Sequence, residues 1–156
     1  MEMSLPVLLF QGIPASIALS IFVLAINNSL KENWKSGIIL GSLLGIFVYI
    51  TRLLPLAFGT HTLVFISAYV ILFRVYYKFK SYKIIKGVLL GFLIITFSEI
   101  VSFVLLPTVL NSLCDQVIET SFWIIILGWL QIIFLLLASF LMTRKANILE
   151  RKKQHV

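Results

Sequence analysis

The sequence predicts an all-α, polytopic integral membrane protein: a bundle of five transmembrane helices with the amino terminus outside and the carboxyl terminus in the cytoplasm. Three observations carry that expectation. The 156 residues are 60% hydrophobic and only 12% charged, whereas a soluble domain is about 45–50% apolar and about 25% charged. The apolar residues gather into five runs, each near the roughly 20 residues a helix needs to cross about 30 Å of hydrocarbon. The basic residues fall on alternate sides of those runs. With a mean hydropathy of +1.07, the chain is excluded from the soluble enzymes, disordered tails and disulfide scaffolds. Cys114 is the single cysteine, so there is neither an intrachain disulfide nor a CxxC motif.

The first span covers residues 5–26 and closes at Asn27-Asn28-Ser29. Glu2 stands ahead of it with no Lys or Arg, and the run is too long for a signal-peptide core, so it reads as a retained helix. The second span, 38–58, and the third, 62–77, are joined by a tight re-entry at Phe58-Gly59-Thr60-His61. The fourth, 88–106, is expected to stop at Pro107, and the fifth covers 122–142. Residues 143–156 form a basic cytoplasmic tail, either a stop-transfer anchor or a continuation of the fifth helix toward a partner. Five helices fill most of the chain and show no internal repeat, which argues against an inverted-repeat transporter within one chain.

Orientation follows from charge. Lys31 and Lys35 lie between spans one and two; Arg74, Lys78, Lys80, Lys83 and Lys86 lie around the join of three and four; Arg144, Lys145, Arg151, Lys152 and Lys153 lie in the tail. All of these share one side of a five-span arrangement, and the opposite side carries Asp115 and Glu119. The positive-inside rule places the basic side in the cytoplasm of a cell-membrane protein. Topology thus accounts for the net charge of +7, and no nucleic-acid partner is implied. The lipid bilayer is the first partner, with some lysines at anionic head groups.

Charges at depth cost several kcal/mol unless paired or hydrated, which makes them the first candidates for function. Arg52 lies roughly 21 Å and Glu99 roughly 17 Å above the cytoplasmic edge, at about 1.5 Å per residue. The two are expected to pair between spans two and four or to share one pocket. Gln11, Gln131, Ser98 and Ser102 fall at comparable heights, and His61 sits at the outer turn. Together they outline an outward-facing polar cluster that either holds helices together by hydrogen bonds or binds a small ligand or ion. A lone histidine does not make a metal site, and no cofactor is implied.

Gly37, Gly41 and Gly45 recur every fourth position on one face of span two, and Gly87 and Gly91 do so at the foot of span four. Such steps permit close backbone approach, either within the chain or in a homo-oligomer. Pro14 and Pro55 are expected to bend spans one and two. Trp34, Tyr76, Tyr77, Tyr82, Phe122 and Trp123 read as interface anchors, and the deeper Trp129 as packing. No GxSxG, HExxH or P-loop grouping occurs, Glu99 is the only acid at depth, and no lysine lies mid-helix. The chain is therefore expected not to be an enzyme.

The stretch Tyr49-Ile50-Thr51-Arg52-Leu53-Leu54-Pro55, then Phe58-Gly59-Thr60-His61-Thr62, then Glu99, resembles the amino-terminal membrane input region of GHKL-type sensor histidine kinases of Gram-positive bacteria. The shared motif covers about a dozen positions, and the likeness of spacing and hydropathy extends over roughly residues 10–107. Residues 1–156 contain no ATP-binding part, so the resemblance implies sensing, or modulation of a cytoplasmic or membrane signalling partner, and not kinase activity. Two other readings stand beside it: a small-solute transport component or substrate-binding subunit, and a structural accessory subunit. If Arg52 and Glu99 pair, Arg52→Glu and Glu99→Arg each lower the folded yield, and the charge-swapped double variant restores it; a double variant no better than the singles would exclude the pair.

Overall fold

The computed structural model describes residue 6 and residues 8–54, 60–110 and 120–154, with side chains throughout these segments except at 52, 99, 102–110, 120–127, 147 and 149–154. Every regular element among the described residues is a helix. Helix α1 runs Leu8–Ile26, with a π-helical opening at Leu8–Gly12. It is followed by α2 (Leu30–Leu53), α3 (Thr60–Tyr77), α4 (Ser81–Leu110) and α5 (Thr120–Gln154). Each contains a stretch of 18 to 22 residues long and apolar enough to cross a membrane.

The bundle is organised around α1. Ser16, Ala18, Leu19, Ser20, Phe22, Val23, Leu24 and Ala25 are all buried, so this helix is enclosed on nearly every face, as an all-round apolar helix must be. Helices α2, α4 and α5 pack directly on it, and α3 packs against α2 and α4. The succession α2, α3, α4, α5 therefore wraps a central first helix. Its core joins Leu19, Phe22 and Val23 of α1 to Leu40 and Leu44 of α2, Tyr69 and Phe73 of α3, Ile84 and Val88 of α4, and Ile132 and Leu135 of α5.

Both glycine series are spent on α1, within the chain. A Cβ at Gly41 would stand 2.6 Å from the Ile17 Cα, and one at Gly45 would stand 3.1 Å from the Ile13 Cα. Only a glycine lets the two backbones come this close. Gly37 faces Leu24 in the same seam, while Gly87 and Gly91 of α4 face Val23 and Leu19. These residues do not form a free face for a second copy.

The turns are short. Asn28 takes the left-handed conformation (φ 57°) after α1. Its N–H donates to the Ala25 carbonyl at 3.1 Å, and the Ser29 N–H donates to the Leu24 carbonyl at 3.1 Å, which is the paired closure of a Schellman motif with asparagine in the usual glycine place. Lys78 (φ 54°) ends α3 with the simpler left-handed cap, its N–H donating to the Arg74 carbonyl at 3.0 Å. Arg74 Nη1 donates to Ser81 Oγ at 3.1 Å across that turn, and Tyr77 stacks on Phe79 with ring centres 5.3 Å apart.

Several expected boundaries shift. Helix α2 begins at Leu30, not 38, and α4 at Ser81, not 88. Hydropathy marks only the apolar part of a helix, and Lys31-Glu32-Asn33-Trp34-Lys35 precedes it as a polar turn in which Lys31, Glu32 and Lys35 are good helix formers. Helix α4 passes Pro107 and ends at Leu110, a case in which a proline is accommodated within a long helix. Thr60 and His61 open α3 instead of belonging to a turn, and of the two forms expected for the tail, residues 143–154 take the helical continuation of α5. Trp129 is 46% exposed on the outside of the bundle, against its expected place in the packing, whereas Tyr77 turns inward against Phe73 and Phe79. Pro55 and the segment 111–119, with Cys114, Asp115 and Glu119, lie outside the described residues.

The seam predicts a contrast. Gly41→Ala forces backbones apart and is expected to destabilise by about 1–3 kcal/mol. At Gly87 the nearest atom to a new Cβ is a Val23 methyl at 3.4 Å, so Gly87→Ala should change stability by no more than about 1 kcal/mol, helix propensity favouring alanine. Unfolding in mixed micelles at increasing dodecyl sulfate fraction measures both.

Candidate functional site

A cavity of about 340 Å³ lies at the end of the bundle where α1 begins, opposite the turns at 27–29 and 78–80. All five helices contribute to its wall. Leu8, Gln11, Gly12, Ala15, Ser16 and Leu19 come from α1. Gly45, Val48 and Tyr49 come from α2, and His61, Thr62 and Phe65 from α3. Phe92, Ile95 and Thr96 of α4 and Gln131 of α5 complete it.

Local sequence explains how Gln11 gets there. Pro14 has no N–H to return to the carbonyl of residue 10, so a regular α-helical bond is missing at this point. The chain opens into the π-helical turn Leu8–Gly12, and Gln11 sits in it. Proline was expected to distort this span, and the distortion takes the form of a widened turn, a feature frequent at functional sites. The Gln11 side chain then lies across Gly128 of α5: a Cβ at that position would overlap Gln11 Cγ and Cδ. Gly128 is the cradle for this glutamine, and Gln131 is buried one turn further along the same helix.

Behind the lining residues Ser16 and Phe65 stands Tyr69, fully buried in the middle of α3. Its hydroxyl donates to the Ser16 carbonyl at 2.8 Å and lies 3.2 Å from Ser20 Oγ. Two residues one turn apart on α1 thereby hold α3 through a single phenol. Phe65 meets Tyr69 edge-on with ring centres 4.7 Å apart, and meets Phe92 at 5.5 Å with an interplanar angle of 76°. Phe65 and Phe92 belong to the apolar wall, and Tyr69 packs behind them.

Not every polar atom is satisfied. Gln11 Oε1 and His61 Nδ1 are buried without a hydrogen-bond partner among the described residues. Leaving such a group unpaired costs about 1–3 kcal/mol. The carboxamide oxygen can only accept, while the imidazole nitrogen donates or accepts according to tautomer. Among the described residues no group of three or more His, Cys, Asp or Glu could hold a metal ion.

Of the residues singled out from the sequence, Gln11, His61 and Gln131 meet in this cavity. Ser98 is buried on α4 but is not among the lining residues. The side chains of Arg52, Glu99 and Ser102 lie outside the described residues; their backbones belong to α2 and α4. The sequence reading missed Tyr69, Ser16, Thr62 and Thr96. A phenol midway along an apolar run requires a partner, and Ser16 with Ser20 presents two hydroxyls one turn apart, so a signal for the Tyr69 tie was present. No protein-family model, curated protein or solved structure matches the chain, and the cavity has to be interpreted from its own chemistry.

Paired and unpaired polar groups should respond oppositely to apolar replacement. Tyr69→Phe removes a hydroxyl that bonds α1 and is expected to destabilise by about 1–2 kcal/mol. Gln11→Met keeps the stem over Gly128 while deleting a carboxamide whose oxygen is buried without a partner, so stability should hold or rise by up to about 3 kcal/mol. Thermal unfolding of the two purified variants beside wild type reads the signs directly.

Proposed function

We propose that this is a multi-pass protein of the cell membrane, amino terminus outside and carboxyl terminus cytoplasmic, that acts as a sensory or regulatory signalling module without catalysing a reaction. Its outer-half cavity takes a small ligand, and the state of the bundle is communicated to a cytoplasmic or membrane partner. The observation that carries this reading is a continuity: α5 runs without a break from Gln131 at the cavity to Gln154 in the basic tail. The distribution of Lys and Arg supports the orientation. The resemblance of Arg52-Leu53-Leu54-Pro55 and Phe58-Gly59-Thr60-His61-Thr62 to kinase input regions supports sensing.

Physically, a ligand touching all five helices changes their relative packing only through its different affinity for two arrangements of the bundle. Each tenfold difference in affinity is worth about 1.4 kcal/mol of bias. Because Gln131 and the tail share one helix, a change at the cavity is felt at Arg144 and Lys145 without an intervening hinge. Arg52 and Glu99, by their height in the sequence, belong to this polar region as ligand contacts or as helix ties.

The second reading is a solute-binding subunit of a transporter, which a cavity among membrane helices also suits. A photo-crosslinking amino acid at Ile148, an exposed position on the tail helix, separates the two in cells. Capture of a histidine kinase or response regulator, with no solute uptake by proteoliposomes, is the expected result. Capture of an ATP-hydrolysing subunit pair together with uptake would replace sensing by transport.

A further inference from the structure

The cavity wall carries information about what fills it. Its volume of about 340 Å³ lies at the small end of the range for small-molecule sites. Phe65, Phe92 and Ile95 form an apolar wall, in which the two phenylalanines stand edge-to-face, and such rings favour a further ring in stacked or edge contact. No described lining residue is an acid, a lysine or an arginine, and an Arg52–Glu99 pair of the kind the sequence predicts would leave neither charge for a ligand, so an ionic ligand would enter at a large desolvation cost. The unmet needs at the polar side are those of Gln11 Oε1 and His61 Nδ1. A hydrocarbon would leave both unmet, whereas a hydroxyl or a carboxamide can donate to the glutamine and exchange a second bond with the imidazole.

We infer that the ligand is a small, uncharged molecule with an apolar ring and a hydroxyl or carboxamide group, the ring against Phe65 and Phe92 and the polar group at Gln11 and His61. The inference rests on the reading of this cavity as a ligand site and narrows it to a chemical class. Selectivity comes from the polar side. A site built to bond a hydroxyl rejects the analogue lacking it far more strongly than an apolar pocket rejects a missing methylene. A molecule of this kind also partitions into the bilayer, and can reach the site from the lipid as well as from water.

Five fluorinated probes that share one ring test the class by ¹⁹F relaxation in lipid nanodiscs, with empty nanodiscs subtracting membrane partitioning. They are 4-fluorobenzyl alcohol, 4-fluorobenzamide, 4-fluorotoluene, 4-fluorobenzoate and protonated 4-fluorobenzylamine. The alcohol and the amide are expected to bind wild type about tenfold or more tightly than the other three. Gln11→Met should weaken the alcohol by about tenfold and leave the toluene unchanged. Ala15→Leu, which puts bulk into the cavity, should abolish binding of all five.

A charged probe binding as well as the alcohol, or the toluene doing so, would overturn the ligand class while leaving the cavity as a site. If no probe distinguishes wild type from Ala15→Leu and Gln11→Met, with both variants folded by circular dichroism and elution volume, the cavity is not a ligand site and both readings fall.

Discussion

The close approach of α2 to α1 is the contact on which the rest of the structure depends. At Gly41 the distance leaves no room for a Cβ beside the Ile17 backbone, so the separation of the two helices is set by backbone atoms, without compressible side chains between them. In a bilayer, where lipid tails are as apolar as leucine, such dispersion contact is a main source of helix association. With α2 seated, Gly87 and Gly91 bring α4 onto the same central helix, and Gly128 brings α5 onto Gln11. Four of the five helices are thus assembled by missing side chains on three of them. Bulky groups then point into the space that remains, and the cavity is where that space is not filled.

Two of the buried polar arrangements differ in what they meet. Tyr69 illustrates the first: a phenol deep in the bundle whose hydroxyl reaches both a carbonyl and a serine, so that burying it ties helices together. Gln11 and His61 illustrate the second, buried beside open volume with atoms that nothing in the described protein satisfies. A bundle selected only for stability would have little reason to retain the second kind, since an apolar residue of equal size removes the penalty. Their position against a shared space is what separates them from structural ties.

Much of the architecture was legible in the sequence because the physics behind it is local. Five apolar runs of membrane-spanning length appear as five helices, and the fourfold glycine spacing appears as a packing seam, since both signals are contained in a few consecutive turns. The ends were less legible. Polar turns such as Lys31–Lys35, and residues 143–154, extend helices beyond the apolar window that hydropathy detects, and Pro107 does not terminate α4. The site was legible in part: Gln11, His61 and Gln131 converge because similar heights on adjacent helices bring side chains together. Height says nothing of rotation about the helix axis, however. That is why Ser98, at a suitable height, is absent from the cavity wall, while Thr62 and Thr96 were passed over. Trp129 shows the same limit, since its depth suggested packing and its azimuth puts it outside.

The length of α5 has a mechanical meaning. At about 1.5 Å per residue, its stretch from Gln131 to Gln154 is about 35 Å long, comparable to the whole hydrocarbon thickness of a bilayer. Such a rod would act as a lever for any tilt that pivots near the cavity. A tilt of about 5° around Gln131, too small to disturb core packing noticeably, would sweep the far end through about 3 Å, the scale on which a hydrogen bond is made or lost. Leverage of this sort needs no rearrangement along the way, only stiffness, and an unbroken helix supplies it.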